Sequence, residues 1–207
     1  MARPRKVSDD EVYAAAMRVM SRVGPGELTL ALIARDAGVT PGALVQRFGS
    51  KRQLLVTMSR LLGTGTREFF QQLRDQAGSP IDVVRAYADC MAGMAVTPAS
   101  LLRNFAYLQA DLADPDIRRH LVAQSRAVRR ELTTLLEEAA SRGELARGTD
   151  VGSLARNIEA LISGALLTWA FHEHGTAAAW LRSHIDALLR PHLRAGRKRA
   201  RKSPAAK

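Results

Sequence analysis

The stretch LTLALIARDAGVTPGALVQRFGSKRQLL, Leu28 to Leu55, decides how the chain folds. Its pattern predicts a helix, a tight turn, a short helix, and the start of a longer one. In the first helix Leu30, Ile33, Ala34 and Ala37 recur at i, i+3, i+4 and i+7, a single apolar face. Thr29 stands where an N-cap belongs. Gly38 follows that face directly, where a helix needs a residue tolerant of positive φ in order to stop. Thr40 then caps a second helix, and Pro41 takes its first position, where the missing N–H costs nothing. Leu44 and Phe48, four apart, point back at the first helix and leave Pro41, Ala43, Gln46 and Arg47 facing outward. Gly49 ends this helix. Ser50 and Gln53 have the spacing of a capping box that starts the next.

Two short helices across a glycine-containing turn form a helix-turn-helix, whose second helix can enter the major groove of DNA. A helical hairpin inside an all-α core would show the same periodicity. Here the outward face of the second helix is short and carries no acid. Lys51 falls in the first turn of the following helix, beside free backbone N–H groups, and the two together suit a phosphate.

The run Ile33-Ala34, Ala37-Gly38-Val39-Thr40, Gly42, Leu44, Phe48, Ser50-Lys51, Leu54-Leu55 closely resembles the DNA-binding domain of TetR-family transcriptional regulators, in fixed register and without gaps. The leading helix, the chain length and an all-helical remainder ending in two apolar helices are also similar to that family. The resemblance implies that Pro41, Ala43 and Gln46 meet base edges and thymine methyls, and that Thr29, Thr40, Arg47 and Lys51 hold phosphates. Gln46 on adenine or Arg47 on guanine would each supply about 1–3 kcal/mol of discrimination. Two departures stand out. Val45 replaces the family's usual aromatic, so that phosphate donor is missing. Arg47 replaces a common histidine and stands either in for the lost clamp or at a base. Ala31 and Leu32 also occupy positions where polar residues are frequent in the family.

Charge is unevenly spread. Residues 1–52 carry nine Lys and Arg against five Asp and Glu, residues 53–192 carry fifteen of each, and residues 193–207 carry seven cations and no acid, within a total of +11. A basic head, a neutral body and a basic tail point to a polyanion met by the two ends. Cys90 is the only cysteine, which excludes an intrachain disulfide and fits a reducing cytoplasm. No apolar run approaches the roughly 18 residues of a membrane span, and the start of the chain has charges without the apolar core of a signal peptide.

Residues 1–7 read as an arm in which Arg3, Arg5 and Lys6 reach phosphates or a minor groove. Ser8 and Glu11 form a capping box for a first helix with a stripe of Val12, Ala16, Val19, Met20 and Val23, closed by Gly24-Pro25-Gly26. A fourth helix runs from Lys51 to about Leu62, where Gly63-Thr64-Gly65 marks either a kinked joint or a plain break. Ser79-Pro80, Thr97-Pro98 and Asp114-Pro115 open three more, each with a cap and a proline at the first position. Two helices follow, about 150–173 and 176–192. The expectation is an all-α chain of about nine helices: arm and three-helix DNA-binding domain over 1–52, a helical effector-binding and dimerisation domain over 53–192, and a disordered basic tail over 193–207.

The last two helices carry wide apolar faces. Leu154, Ile158, Leu161, Ile162, Ala165 and Trp169 on one, with Trp180, Leu181, Ile185 and Leu188 on the other, exceed what one side of a body covers. The resemblance implies that this hairpin pairs with its mate in a homodimer. Within the body, Phe69, Tyr87, Met91, Met94, Phe105 and Tyr107, with Arg103 and Asn104 as polar members, read singly as core. Collectively the resemblance implies a ligand cavity among these helices, and a small apolar effector is the expected occupant. The tail adds sequence-independent DNA affinity.

No cofactor or metal is expected. His172-Glu173-His174 places its histidines on different helix faces, unlike the i, i+4 pair of a zinc helix. There is no phosphate loop, dinucleotide fingerprint or nucleophile elbow, so an enzyme is not expected. The sequence points to a ligand-responsive repressor of double-stranded DNA. An architectural, nucleoid-type protein binding broadly through arm and tail is the alternative.

Overall fold

A computed structural model describes residues 7–95 and 97–194. Among them ten α-helices follow one another: α1 (Asp9–Met20), α2 (Leu30–Ala37), α3 (Pro41–Phe48), α4 (Lys51–Thr64), α5 (Thr66–Gln76), α6 (Pro80–Gly93), α7 (Pro98–Ala113), α8 (Pro115–Ser141), α9 (Val151–His172) and α10 (Ala177–Leu189). A 3-10 turn over Arg190–His192 follows. Strand-like pairing among the described residues is confined to an isolated bridge between Leu145 and Leu193.

Local chemistry sets the helix ends. Ser8 and Glu11 complete their capping box. Thr29, Thr40, Ser50, Ser79, Thr97 and Asp114 each accept a backbone N–H in the first turn of their helix. Gly38 closes α2 in the left-handed region, at φ 72° and ψ 31°. One helix more is present than the nine expected. Gly65 separates α4 from α5, so Gly63-Thr64-Gly65 is a break and not a bend within one helix. The buried Thr66 hydroxyl donates to the Leu62 and Gly63 carbonyls at 3.3 Å, meeting oxygens that the interrupted ladder leaves over. In TREFFQQLRDQ the apolar stripe of α5 is only Phe69, Phe70 and Leu73, too narrow for periodicity to expose.

Two cores result. In the head, Val12, Ala15, Ala16 and Val19 of α1 pack on Ile33, Ala34, Leu44, Phe48 and Leu54. In the body, α8 is a 27-residue spine that α4, α5, α6, α7 and α9 pack against, and α10 packs on α6 and α9. The apolar faces of α9 and α10 go mainly into this core. Leu154, Ile158, Ile162, Ala165, Trp169, Leu181 and Ile185 are buried within the chain, while Leu161, Trp180 and Leu188 are only partly covered. Of the residues nominated for a dimer interface, the chain's own core thus takes the middle of the stripe, which is corrected to core, and leaves its flank outside. Leu193 and Arg194, assigned to the tail, are tied back, since the Arg194 N–H donates to the Glu144 carbonyl at 2.8 Å. The rest of the tail lies outside the described residues.

Leu44 is the main apolar anchor of α3, at 1% exposure. Leu44→Ala should lower stability by about 2–5 kcal/mol, read as a shifted guanidinium midpoint at unchanged slope; a shift within error would show that the head packs otherwise.

Candidate DNA-binding interface

Helix α3 has eight residues, of which only Leu44 and Phe48 are buried. Phe48 also meets Tyr13 of α1, with ring centroids 6.0 Å apart. Pro41, Ala43, Val45 and Gln46 are exposed, as the sequence pattern requires of a helix anchored through positions 44 and 48. Thr29 and Thr40 are exposed at the N-terminal ends of α2 and α3. Their hydroxyl oxygens accept from Leu32 N–H and Ala43 N–H, both at 3.2 Å. Each hydroxyl proton is left to donate outward. Two nominated cations are already engaged. The Lys51 ammonium donates to the Pro25 carbonyl at 3.4 Å. The Arg47 guanidinium turns back on the head, donating to the Val7 carbonyl at 2.7 Å and pairing with Asp9. Arg3, Arg5 and Lys6 lie outside the described residues.

The residues nominated for an effector cavity do not gather around one space. Phe69, Phe70 and Tyr87 pack ring against ring, with centroids 5.0 to 6.3 Å apart, and Met91 and Phe105 pack on the same body core. Burial, and next the charge of Glu159, push the Tyr87 phenol up to about 12. Glu159 itself accepts from Ser125 at 2.5 Å and from Arg129 at 2.8 Å. Met94 is 54% exposed, and its carbonyl accepts from Asn104 at 3.2 Å. Arg103 and Tyr107 face the head: Arg103 donates to the Ser21 carbonyl and the Tyr107 hydroxyl to the Val23 carbonyl, both at 3.0 Å. The ring of Tyr107 belongs to the head's core. These two are therefore corrected from cavity residues to junction residues, because α7 lies between two cores and uses a different face for each.

The sequence reading missed a second link between head and body. Arg52, at the start of α4, grips Asp114 at 2.6 and 2.9 Å and Asp116 at 2.7 Å, at the start of α8. The Arg52 guanidinium holds both carboxyls below the usual carboxylate range. Asp114 also accepts from the N–H groups of Asp116 and Ile117 as the cap of α8. The cap was legible in Asp114-Pro115; nothing in the sequence pairs position 52 with position 114. Among the described residues no helix is long and apolar enough to cross a membrane, and no group of His, Cys, Asp and Glu is placed to hold a metal ion.

A short, exposed helix held by a three-helix head, carried on a helical body, defines a helix-turn-helix DNA-binding regulator. The chain belongs to the TetR family: residues 12–58 match bacterial regulatory proteins of the tetR family, and residues 80–190 match the C-terminal region of BetI-type transcriptional repressors. It is 30% identical over 173 residues to the HTH-type transcriptional regulator BetI of Brucella canis, covering 82% of this chain and 83% of that one. Its fold is that of SmeT, the repressor of the Stenotrophomonas maltophilia multidrug efflux pump SmeDEF, at a TM-score of 0.67 and 20% identity over 92% of this chain and 93% of that one. The Bacillus subtilis regulator FadR, solved with stearoyl-CoA, superposes at a TM-score of 0.66 and 17% identity over 87% of this chain and 97% of that one. The chain is a transcriptional regulator, not an enzyme.

The Arg52 clamp has a pH signature. Asp114→Asn keeps a capping side chain and removes the charge. The folded state holds this carboxyl below its ordinary 3.8, so its contribution is complete above 3.8 and fades as pH falls through the lower native value. The variant should melt below the parent at neutral pH, and the two melting curves should converge in acid. A constant gap across that range would show that the charge is not what the substitution removed.

Proposed function

We propose that this regulator is a dimeric repressor that reads an inverted-repeat operator with the α3 helix of each copy and releases it when a small apolar molecule enters the body. The observation that carries this reading is the exposed face of α3, with Pro41, Ala43, Val45 and Gln46 outward and no acid among them. Gln46 supplies a paired donor and acceptor for adenine, and Ala43 and Val45 suit thymine methyls. Thr29 and Thr40 donate to flanking phosphates.

One such helix reads few base pairs, so a second copy doubles the site. The flank of the α9–α10 hairpin left outside the core is shaped for one. Asn157, Ala160, Leu161, Gly164, Thr168, His184 and Leu188 line an open groove there, and the small residues allow close approach of another helix. The effector acts within the body core into which Phe69, Phe70, Tyr87 and Phe105 pack. The likeness to a regulator solved with stearoyl-CoA supports an apolar ligand. Movement of α7 then reaches the head through Arg103 and Tyr107, and the two heads lose the spacing that fits both half-sites.

Selection of genomic fragments by the purified protein, against excess random competitor, should recover one inverted-repeat motif. Fragments without a shared motif would overturn the reading in favour of architectural binding. Gln46→Ala should cost about 1–3 kcal/mol at a single base pair of each half-site and leave the others unchanged.

Gly164 tests the dimer cleanly, since a Cβ built there meets nothing within 4 Å. Gly164→Glu should leave the helical spectrum intact and yield monomers by sedimentation, with loss of operator binding. A dimer that persists would place the interface elsewhere.

A further inference from the structure

We infer that Arg47 is a positioning residue, which fixes the entry of the N-terminal arm against the recognition helix and does not itself read DNA. The inference rests on the head's being the DNA-binding element. Arg47 lies in the last turn of α3, yet among the described residues its guanidinium contacts run back to α1 and the residue before its cap. One nitrogen donates to the Val7 carbonyl at 2.7 Å, a second pairs with the Asp9 carboxylate, and the central carbon lies over the Phe48 ring, 5.5 Å from its centroid. Phe48 is itself buried. A planar fork held at two nitrogens and set over a ring is oriented far better than a lone ammonium would be.

The sequence position of the partner gives this contact its meaning. Val7 directly follows Arg3, Arg5 and Lys6, and forty residues separate it from Arg47. The bond therefore sets where the basic segment leaves the head relative to α3. Asp9 stands in the capped first turn of α1, so the anchor is continuous with a rigid helix. Arg47 would have to break both a charge-assisted pair and a backbone hydrogen bond to reach a base. Held in place, it lowers the ordering cost of bringing the arm onto DNA, an effect on affinity and salt dependence and not on base choice.

The test compares four full-length proteins on selected DNA across a salt series: the parent, Arg47→Ala, a deletion of residues 2–6, and the two changes combined. Arg47→Ala should weaken binding about tenfold, with base preference unchanged, and have almost no further effect once residues 2–6 are gone. An undiminished effect in the deleted background, or a changed preference at one base pair, would overturn the assignment and make Arg47 a reader. A DNA-free measurement separates this from the function itself. Trypsin should cut after Lys6 several-fold faster in Arg47→Ala and in Asp9→Asn than in the parent, at unchanged helix content. Equal rates would refute the anchor whatever the protein does with DNA.

Discussion

An eight-residue helix is too short to persist in water, because the cost of nucleating it is not recovered within two turns. The recognition helix α3 is such a helix, and the head is arranged to hold it. Thr40 caps it, Pro41 presets its first turn, and Gly38 brings the chain round from α2 in the left-handed conformation. Leu44 and Phe48 then sink into the stripe that α1 and α2 provide. With those two positions used as anchors and Arg47 turned toward α1, the outward face comes down to Pro41, Ala43, Val45 and Gln46. Brevity thus makes the helix depend on its neighbours and, in the proposed function, leaves it a narrow readout that a second copy supplements.

The junction between head and body follows the same economy. Tyr107 is a body residue whose ring completes the head's core, and its hydroxyl closes on the Val23 carbonyl in the loop after α1. Phe105, two residues earlier, packs on the body core. Residues two apart on a helix point to nearly opposite sides, so α7 is held by one core on each flank and cannot shift against the first without disturbing the second. Arg52 adds a link from the start of α4 to the start of α8. Asp114, which receives that link, is the residue between α7 and α8. In the proposed mechanism, an event in the body that moves either helix reaches the head through these contacts.

What the sequence made legible was local. Caps, prolines at first helical positions and Gly38 were readable because each acts within one turn of its own backbone, and the helix-turn-helix is built almost wholly from such signals. What escaped depended on which element meets which. The stripe on α9 and α10 was plainly apolar, but periodicity cannot say whether Leu154 or Leu161 ends up inside; the core took the first and left the second at the edge. The same limit applies to α7, whose polar and aromatic residues divide between two partners. It applies most strongly to Arg52 and Arg47, since an exposed arginine in a basic head looks like a DNA contact until its protein partners are in view.

Those partners change how the charge of the head should be understood. Asp36 takes both Arg18 and Arg22, Asp9 takes Arg47, and Asp114 with Asp116 takes Arg52. Lys51 is turned to a backbone carbonyl. Most cations between Ser8 and Arg52 thus hold the head together or tie it to the body, and each paired acid offsets their field locally. The two ends of the chain differ in kind: three cations in residues 1–7 and seven in residues 193–207, with no acid in either. Long-range attraction to a polyanion depends on net charge and weakens with salt, whereas base discrimination depends on short contacts that salt hardly touches. In the proposed function the ends serve the first task and a nearly uncharged helix face the second. The Arg47–Val7 bond ties the residue that follows the basic arm to the end of that helix.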